Sequence, residues 1–405
     1  MGRRIHSCWV NGVDIRFALL PLLLVFLGAP KSMGAQEMGE SDAMICQKAS
    51  PEGYGWQPTV HALRSSRKVY FSLPRQLQRL PFADKEKIVL RRKQLKISGV
   101  SQAYNPSIAR CQEGFVIFFR NDRVKKTPLL QRQCTLAKAV VRRSFRQVGK
   151  TVFFHTSHAI CEDPRCFQFQ DQLFLAYSHV IQWSPYTTYE AMARVSGDHL
   201  VDVMHLQYHP SRIEKNWVPF TYNDPIYGPD LYFIYSANPF KILRLARSMD
   251  GTIEQPGNES FSQEPLVWET KWGKISGGTP GRLISQDEYL SFFHSSFKAD
   301  GIKWYVIGAY TFENKPPFRI KRISKYPLVW RHMYTTPMSS TVWFRPRQEF
   351  RVAFPGGFEE GTKKGRKVLY LAYGENDSGL CVLTLDKNRL LRSLQDIELA
   401  ITLHG

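Results

Sequence analysis

The chain has 405 residues, 43% of them hydrophobic and 13% aromatic, enough apolar material for a large core and outside the range of disordered chains. Its formal net charge is +20, which favours anionic partners such as sugar phosphates, sugar nucleotides or acidic glycans. No basic cluster is joined to a nucleic-acid-binding module, and phosphate-loop, dinucleotide and zinc-protease signatures are missing, so nucleic acid, a cofactor and a metal are not expected.

Arg3, Arg4 and Arg16 precede the apolar run Phe17 to Ala29, and small residues follow at Ser32, Gly34 and Ala35. This is the layout of a secretory signal peptide over 1–35, with a short membrane anchor as the alternative. The expected location is therefore extracellular, periplasmic or lumenal. Removal of the leader leaves Cys46, Cys111, Cys134, Cys161, Cys166 and Cys381, an even number that suits disulfides in an exported chain, with free buried thiols as the alternative. Asn258 and Asn376 are formal glycosylation acceptors, the second implausible because of its neighbours. Residues 36–58 read as a loose segment.

From there on the chain repeats. Phe-Val-Ile-Phe-Phe119, Leu-Phe-Leu-Ala-Tyr177, Tyr-Phe-Ile-Tyr235, Leu-Ser-Phe-Phe293 and Leu-Tyr-Leu-Ala-Tyr373 are short aromatic and β-branched runs. The first four final aromatics stand 58 residues apart and the last follows after 80. Turn signals Glu113-Gly114, Gln170-Asp171, Gly228-Pro229-Asp230 and Gln286-Asp287 precede four of them. Several strands per period of this length predict an all-β, five-bladed β-propeller over 59–405. Leu390 to Leu403 carries helical spacing and predicts a short closing helix.

Polar residues follow each aligned aromatic: Arg120-Asn121-Asp122, Ser178-His179, Ser236-Ala237-Asn238, His294-Ser295-Ser296 and Gly374-Glu375-Asn376-Asp377. Equivalent strand ends in a propeller converge on one mouth of the channel, so these groups are expected to build a pocket. Pro106, Pro164 and Pro280 each stand 13 residues before an aligned aromatic. Proline favours an extended residue before it, which is expected to aim Asn105, Asp163 and Thr279 into the channel. Gly277-Gly278 and Gly356-Gly357 read as close backbone approaches. In the third repeat Glu214-Lys215-Asn216-Trp217 brings a charged pair, either a surface ion pair or a pocket lysine beside an indole.

The ordered set Tyr-Asn-Pro-Ser with Phe-Arg-Asn-Asp, Glu-Asp-Pro-Arg, Glu-Lys-Asn-Trp, Gly-Gly-Thr-Pro with Phe-Phe-His, and Val-Ala-Phe-Pro-Gly-Gly with Tyr-Gly-Glu-Asn-Asp resembles glycoside hydrolase family 130 and its β-1,2-mannosyltransferase relatives, over roughly residues 100 to 386. The resemblance implies Asp163 as proton donor, Lys215 as anion contact, Asp377 as a sugar ligand, and Asn105, Arg120 and Asp122 around a bound mannose. Glu162, Arg165, Asn216, Tyr235, Thr279 and His294 complete the expected substrate-binding set. One departure stands out. The phosphorylases hold phosphate with a His-Arg-Pro-like step where this chain has Tyr235-Ser236-Ala237-Asn238-Pro239. The expected function is inverting mannosyl transfer from a phosphate- or nucleotide-activated donor to a mannose-containing glycan, with a hydrolase or phosphorylase as one alternative and a non-catalytic glycan-binding propeller as another.

Overall fold

The computed structural model describes residues 73–125, 131–155, 160–183, 185–256, 266–338 and 349–401. All belong to the compact unit Ala62–Gly405; the other unit, Met1–His61, lies outside them. The expected leader, the loose segment 36–58, Cys46 and Asn258 therefore lie outside the described residues.

After a one-turn helix α1 (Arg75–Gln78) comes β1 (Val89–Gln94). The first sheet contains β2 (Ala103–Cys111), β3 (Gly114–Lys125), β4 (Gln131–Arg142) and β5 (Gln147–Phe153). The second contains β6 (Cys161–Phe169), β7 (Gln172–Trp183), β8 (Tyr186–Ser196) and β9 (His199–His205). The third contains β10 (Val218–Asp224), β11 (Gly228–Ala237), β12 (Phe240–Leu245) and β13 (Ile253–Glu254). A two-turn helix α2 (Val267–Trp272) leads into the fourth, formed by β14 (Ser276–Gly277), β15 (Arg282–Leu283), β16 (Glu288–Ala299), β17 (Ile302–Glu313), β18 (Ile320–Ser324) and β19 (Glu349–Arg351). The fifth contains β20 (Ala353–Lys363), β21 (Arg366–Glu375) and β22 (Gly379–Asp386).

These five sheets are blades of a propeller. Neighbouring sheets meet in a closed cycle through their first two strands: β2 touches β6, β6 touches β10, β11 touches β14, β16 touches β20 and β20 touches β2. The fifth sheet takes β1 as its outer strand, Val89 facing Leu385 and Gln94 facing Cys381, so the two ends of the ring are fastened in one sheet. Arg92 strengthens that seam by donating to Glu375, which is fully buried and also accepts from Thr336 N.

The five aligned aromatics lie on β3, β7, β11, β16 and β21, the second strand of each blade. Their uninterrupted apolar character has a simple cause: both faces of these strands are covered. Along β3, Phe115, Ile117 and Phe119 pack towards the fifth sheet, while Val116 and Phe118 pack towards the second. Successive side chains of a strand alternate faces, so a strand wedged between two sheets has no solvent face to leave polar. Each such buried side chain contributes roughly 1.5–3 kcal/mol. Aromatic pairs bridge blades at Phe115–Tyr370, Phe220–Phe312 and Phe292–Phe358. The longer final interval is also core: Leu328, Val329, Trp330, Met333 and Tyr334 are buried.

The closing helix is shorter and earlier than the spacing implied. Helix α3 spans Lys387–Ser393, and the Asp386 side chain caps it by accepting from Arg389 N. Leu394 then leaves the helix to start β23 (Leu394–Asp396), which pairs with β18, and a 3-10 turn follows over Ile397–Ala400.

The disulfide expectation is corrected. Cys111, Cys134, Cys161, Cys166 and Cys381 are free thiols. Cys161 and Cys166 share β6, where a rise of roughly 3.3 Å per residue carries them beyond the roughly 7 Å between Cα atoms that a bridge tolerates. The thiols serve as packing groups instead: Cys166 lies 3.1 Å from Ser107 Oγ and Cys134 donates to Cys161 O. Asn376 is likewise structural, its amide donating to Tyr334 O and Thr336 O and accepting from Val352 N, with no exposed surface for a glycan.

Candidate active site

The prolines mark β-bulges. Tyr104 pairs with Arg120 and Ser107 with Phe118, so Asn105 and Pro106 together oppose Phe119 alone. In the next blade Glu162 pairs with Ser178 and Arg165 with Ala176, and Asp163 and Pro164 together oppose Tyr177. The expectation of an extended residue before proline is overturned at both places: Asn105 has φ +49° and Asp163 φ +53°. These bulges place their first residue in the left-handed region, which Asn and Asp tolerate best among residues with a side chain. The bulge turns these two side chains out of the ordinary alternation and towards each other.

Thr279 behaves differently and does not join the pocket. It is fully buried, its hydroxyl accepts from Phe292 N and its own N–H donates to Phe292 O, so it completes the ladder with β16. Thr279, expected from the sequence to contact substrate, is instead seen to accept a backbone hydrogen bond within its own blade.

Around Asp163 the first and second blades interlock. Asn105 Nδ2 donates to Asp163 Oδ1 at 2.8 Å, and Arg120 Nη1 reaches the same oxygen at 3.1 Å. Arg120 Nη2 lies 2.8 Å from Glu162 and 3.4 Å from Asp122. Tyr104 donates to Asp122 at 2.8 Å while its ring lies 4.6 Å from the Arg120 guanidinium carbon, and Tyr186 donates to Glu162 at 3.2 Å. One arginine thus serves three carboxylates. Of these, Asp163 has the most accessible side chain, 12% against 5% for Asp122 and 8% for Glu162. Burial works against its charge, but Arg120, the Asn105 amide and Arg165 outweigh burial and hold the carboxyl below its ordinary range.

Behind Asp163 stands a second layer. Arg165 donates to Gly278 O at 2.6 Å, to Asp163 O at 3.2 Å and to Asn216 Oδ1 at 2.9 Å, spending its guanidinium on holding three blades together. Glycine makes this possible at Gly277, where a Cβ would lie 2.0 Å from Asn216 O, in line with the close approach read from the sequence. Gly374 has the same role across the ring: a Cβ there would stand 2.0 Å from Asn105 Oδ1. His294 is buried against Phe354, and burial, then Arg165 and Lys215, push its pKa down to about 3.

The third blade's charged pair separates. Glu214 is buried and accepts from Ser211 N, Trp217 Nε1 and Tyr235 OH. Lys215 is exposed, its ammonium 5.6 Å from the centre of the Tyr186 ring. Tyr235 packs on Trp217 and Tyr208, so it supports the Glu214 turn and is set apart from the Asp163 group. Its following loop is closed on itself, Ser236 Oγ donating to Pro239 O and Asn238 to Glu269. Asp377 flanks the other side: Asp122 N donates to Gln102 O, and the Gln102 amide donates to Asp377 O.

Glu190, on β8, was not singled out from the sequence. It is 1% exposed, and burial pushes its carboxyl up to about 7 in spite of Arg165 and the N–H groups of Trp217 and Asn216. Its signal was a lone acid among the apolar residues of Tyr-Glu-Ala-Met-Ala. Tyr186, which orients Glu162, carried no such signal. Among the described residues no cluster of His, Cys, Asp and Glu is arranged to hold a metal ion.

No family model and no curated protein matches this chain. Solved structures do. The fold is similar to that of a mannose phosphorylase from Leishmania mexicana in complex with phosphate, with 14% identity, 78% of this chain and 93% of that one covered, and a TM-score of 0.53. It is also similar to β-1,2-mannobiose phosphorylase from Listeria innocua in complex with β-1,2-mannobiose, with 11% identity, coverage of 78% and 98%, and a TM-score of 0.50. At such identities the likeness establishes the propeller; the chemistry has to be argued from the residues.

Proposed function

We propose that this propeller is a carbohydrate-active enzyme for β-mannosidic bonds, and that it transfers mannose with inversion from a phosphate- or nucleotide-activated donor to a mannose-containing acceptor. The observation that carries the reading is Asp163: the most accessible carboxylate of its cluster, aimed by a bulge and kept ionised by Arg120 and Asn105. An ionised carboxylate at the exocyclic oxygen can remove the proton from an attacking hydroxyl. Cleavage would require the same group to arrive protonated, which Arg120 opposes.

Lys215 supplies the charge for the donor. Arg120 and Arg165 are occupied by carboxylates and carbonyls, whereas Lys215 is exposed beside Tyr186. The Tyr235–Pro239 loop offers neither a guanidinium nor an imidazole for free phosphate, which favours an activated donor over phosphorolysis. Asn105, Arg120, Asp122 and Asp377 would orient the sugar hydroxyls. The fold's likeness to a mannose phosphorylase and to a β-1,2-mannobiose phosphorylase supports mannose as the sugar.

The test is to incubate the full chain with mannose 1-phosphate or GDP-mannose and a panel of mannose-terminated acceptors, and to weigh the products. Acceptors lengthened by one mannose are expected, with the rate reduced by about 10²–10⁴ in Asp163→Asn while sugar binding persists. Full activity in Asp163→Asn ends the assignment. Release of free mannose alone would make the protein a hydrolase, and binding without turnover a glycan-binding module.

A further inference from the structure

Glu190 is almost wholly buried, and its carboxylate lies between β6 and the Asn216–Trp217 turn of the third blade. It sits on β8 opposite Ser178 of β7, and its Oε1 accepts from Trp217 N at 3.3 Å. Arg165 and Asp163 on β6 are the charged groups that face it. Asn216 has φ +68°, a left-handed conformation with a cost for a residue with a side chain, and it persists only where the surroundings fix it. Two anchors fix it here: Glu190 takes the N–H of the next residue, Trp217, and Arg165 takes the Asn216 side-chain carbonyl. The residue preceding this turn is Lys215.

We propose that Glu190 is a positioning residue, a buried anchor that locks the Asn216–Trp217 turn and thereby presents Lys215 to the phosphate of the donor. The inference rests on the reading of Lys215 as the donor's anion contact. The ionised carboxylate accepts the Trp217 N–H strongly, whereas the neutral acid accepts it weakly. Because burial brings this carboxyl to about 7, the anchor strengthens as pH rises from 6 to 8.

The test compares wild type, Glu190→Gln, Glu190→Asp, Lys215→Ala and the double variant Glu190→Gln/Lys215→Ala. Calorimetry measures the affinity for mannose 1-phosphate and for mannose, and hydrogen exchange follows the amides of 214–217. Glu190→Gln is expected to speed exchange in this turn and to weaken mannose 1-phosphate by roughly tenfold while leaving mannose unchanged, the scale of a charge-assisted hydrogen bond. The wild-type gain in mannose 1-phosphate affinity between pH 6 and 8 should shrink in Glu190→Gln to the part that comes from the ligand's own second ionisation, at about pH 6. The double variant should be no weaker than Lys215→Ala alone, because both act through one cation. Equal weakening of both ligands, or unchanged exchange at 214–217, overturns the anchor. If Lys215→Ala itself leaves mannose 1-phosphate affinity intact, the reading of Lys215 fails, while faster exchange in Glu190→Gln would still support the anchoring of the turn.

Discussion

The Asn105 amide donates to the Asp163 carboxylate at 2.8 Å across the boundary between the first two blades, and the two residues hold the same bulge position 58 residues apart. One copy of the motif thus serves the other. Replacing Asn105 by glycine keeps the left-handed backbone but removes the donor. Asp163 is then less favoured as an anion and its pKa moves up. Since activity needs the ionised form, the acid limb of the pH–rate profile is expected to move to higher pH; an unmoved limb would show that the hydrogen bond does not tune this carboxylate.

Gly374 guards that hydrogen bond from behind. A Cβ at this position would lie 2.0 Å from Asn105 Oδ1 and 2.7 Å from its backbone nitrogen, so Gly374→Ala must displace the bulge. Activity should fall by at least tenfold, the scale expected when a reacting group is misplaced, and the far-ultraviolet circular dichroism of the folded protein should be unchanged. Wild-type turnover in Gly374→Ala would mean that the bulge tolerates the shift.

Removing Arg120 takes away the one guanidinium that reaches Asp122, Glu162 and Asp163 together. Arg120→Gln should lose roughly 3–5 kcal/mol of stability at neutral pH, the cost of breaking a buried ion pair from one side. The sign of the pH dependence follows from burial: without Arg120, desolvation governs Asp163 and raises its folded pKa, so stability is retained at low pH and lost as pH rises. Urea midpoints of the variant and wild type are expected to converge as pH falls through the folded-state pKa of Asp163 in the variant. A constant gap would exclude Asp163 as the source.

The thiols give a test that is independent of activity. Cys134, Cys161, Cys166 and Cys381 are buried, and burial pushes Cys166 and Cys381 up to about 12, whereas Cys111 is partly exposed. In the native protein Cys111 should react with a thiol reagent first among these five, and the other four only after denaturation. Failure of the four to react in denaturant without reductant would indicate disulfides.

Much of the architecture was legible because it is written in repetition. Phe119, Tyr177, Tyr235, Phe293 and Tyr373 mark strands covered on both faces, and that demand leaves a local apolar run that recurs once per blade. The grouping of Asn105, Arg120, Asp122, Glu162 and Asp163 was legible for the same reason, since equivalent strand ends share one end of the channel. Side-chain direction was not. Proline explained where the bulges lie but not the positive φ, which depends on pairing with Phe119 and Tyr177. Thr279 had the right phase, and its hydroxyl turned to the backbone because that blade lacks the same bulge. Glu190 was missed because a third strand has no motif; its importance comes from Asn216 and Trp217, which reach it only through the fold.

The seam between β1 and β22 has a consequence for how the molecule is made. Val89 must wait for Leu385, almost three hundred residues later, before the fifth sheet has its fourth strand. A chain still emerging from the ribosome therefore holds an open arc of blades with raw edges at both ends, and the Asp163 cluster can be preformed while the pocket around it is not. Truncations within Gly379–Asp386 would leave that arc permanently open and vulnerable to edge-to-edge association, so the strand that pairs with β1 also acts as the latch against aggregation.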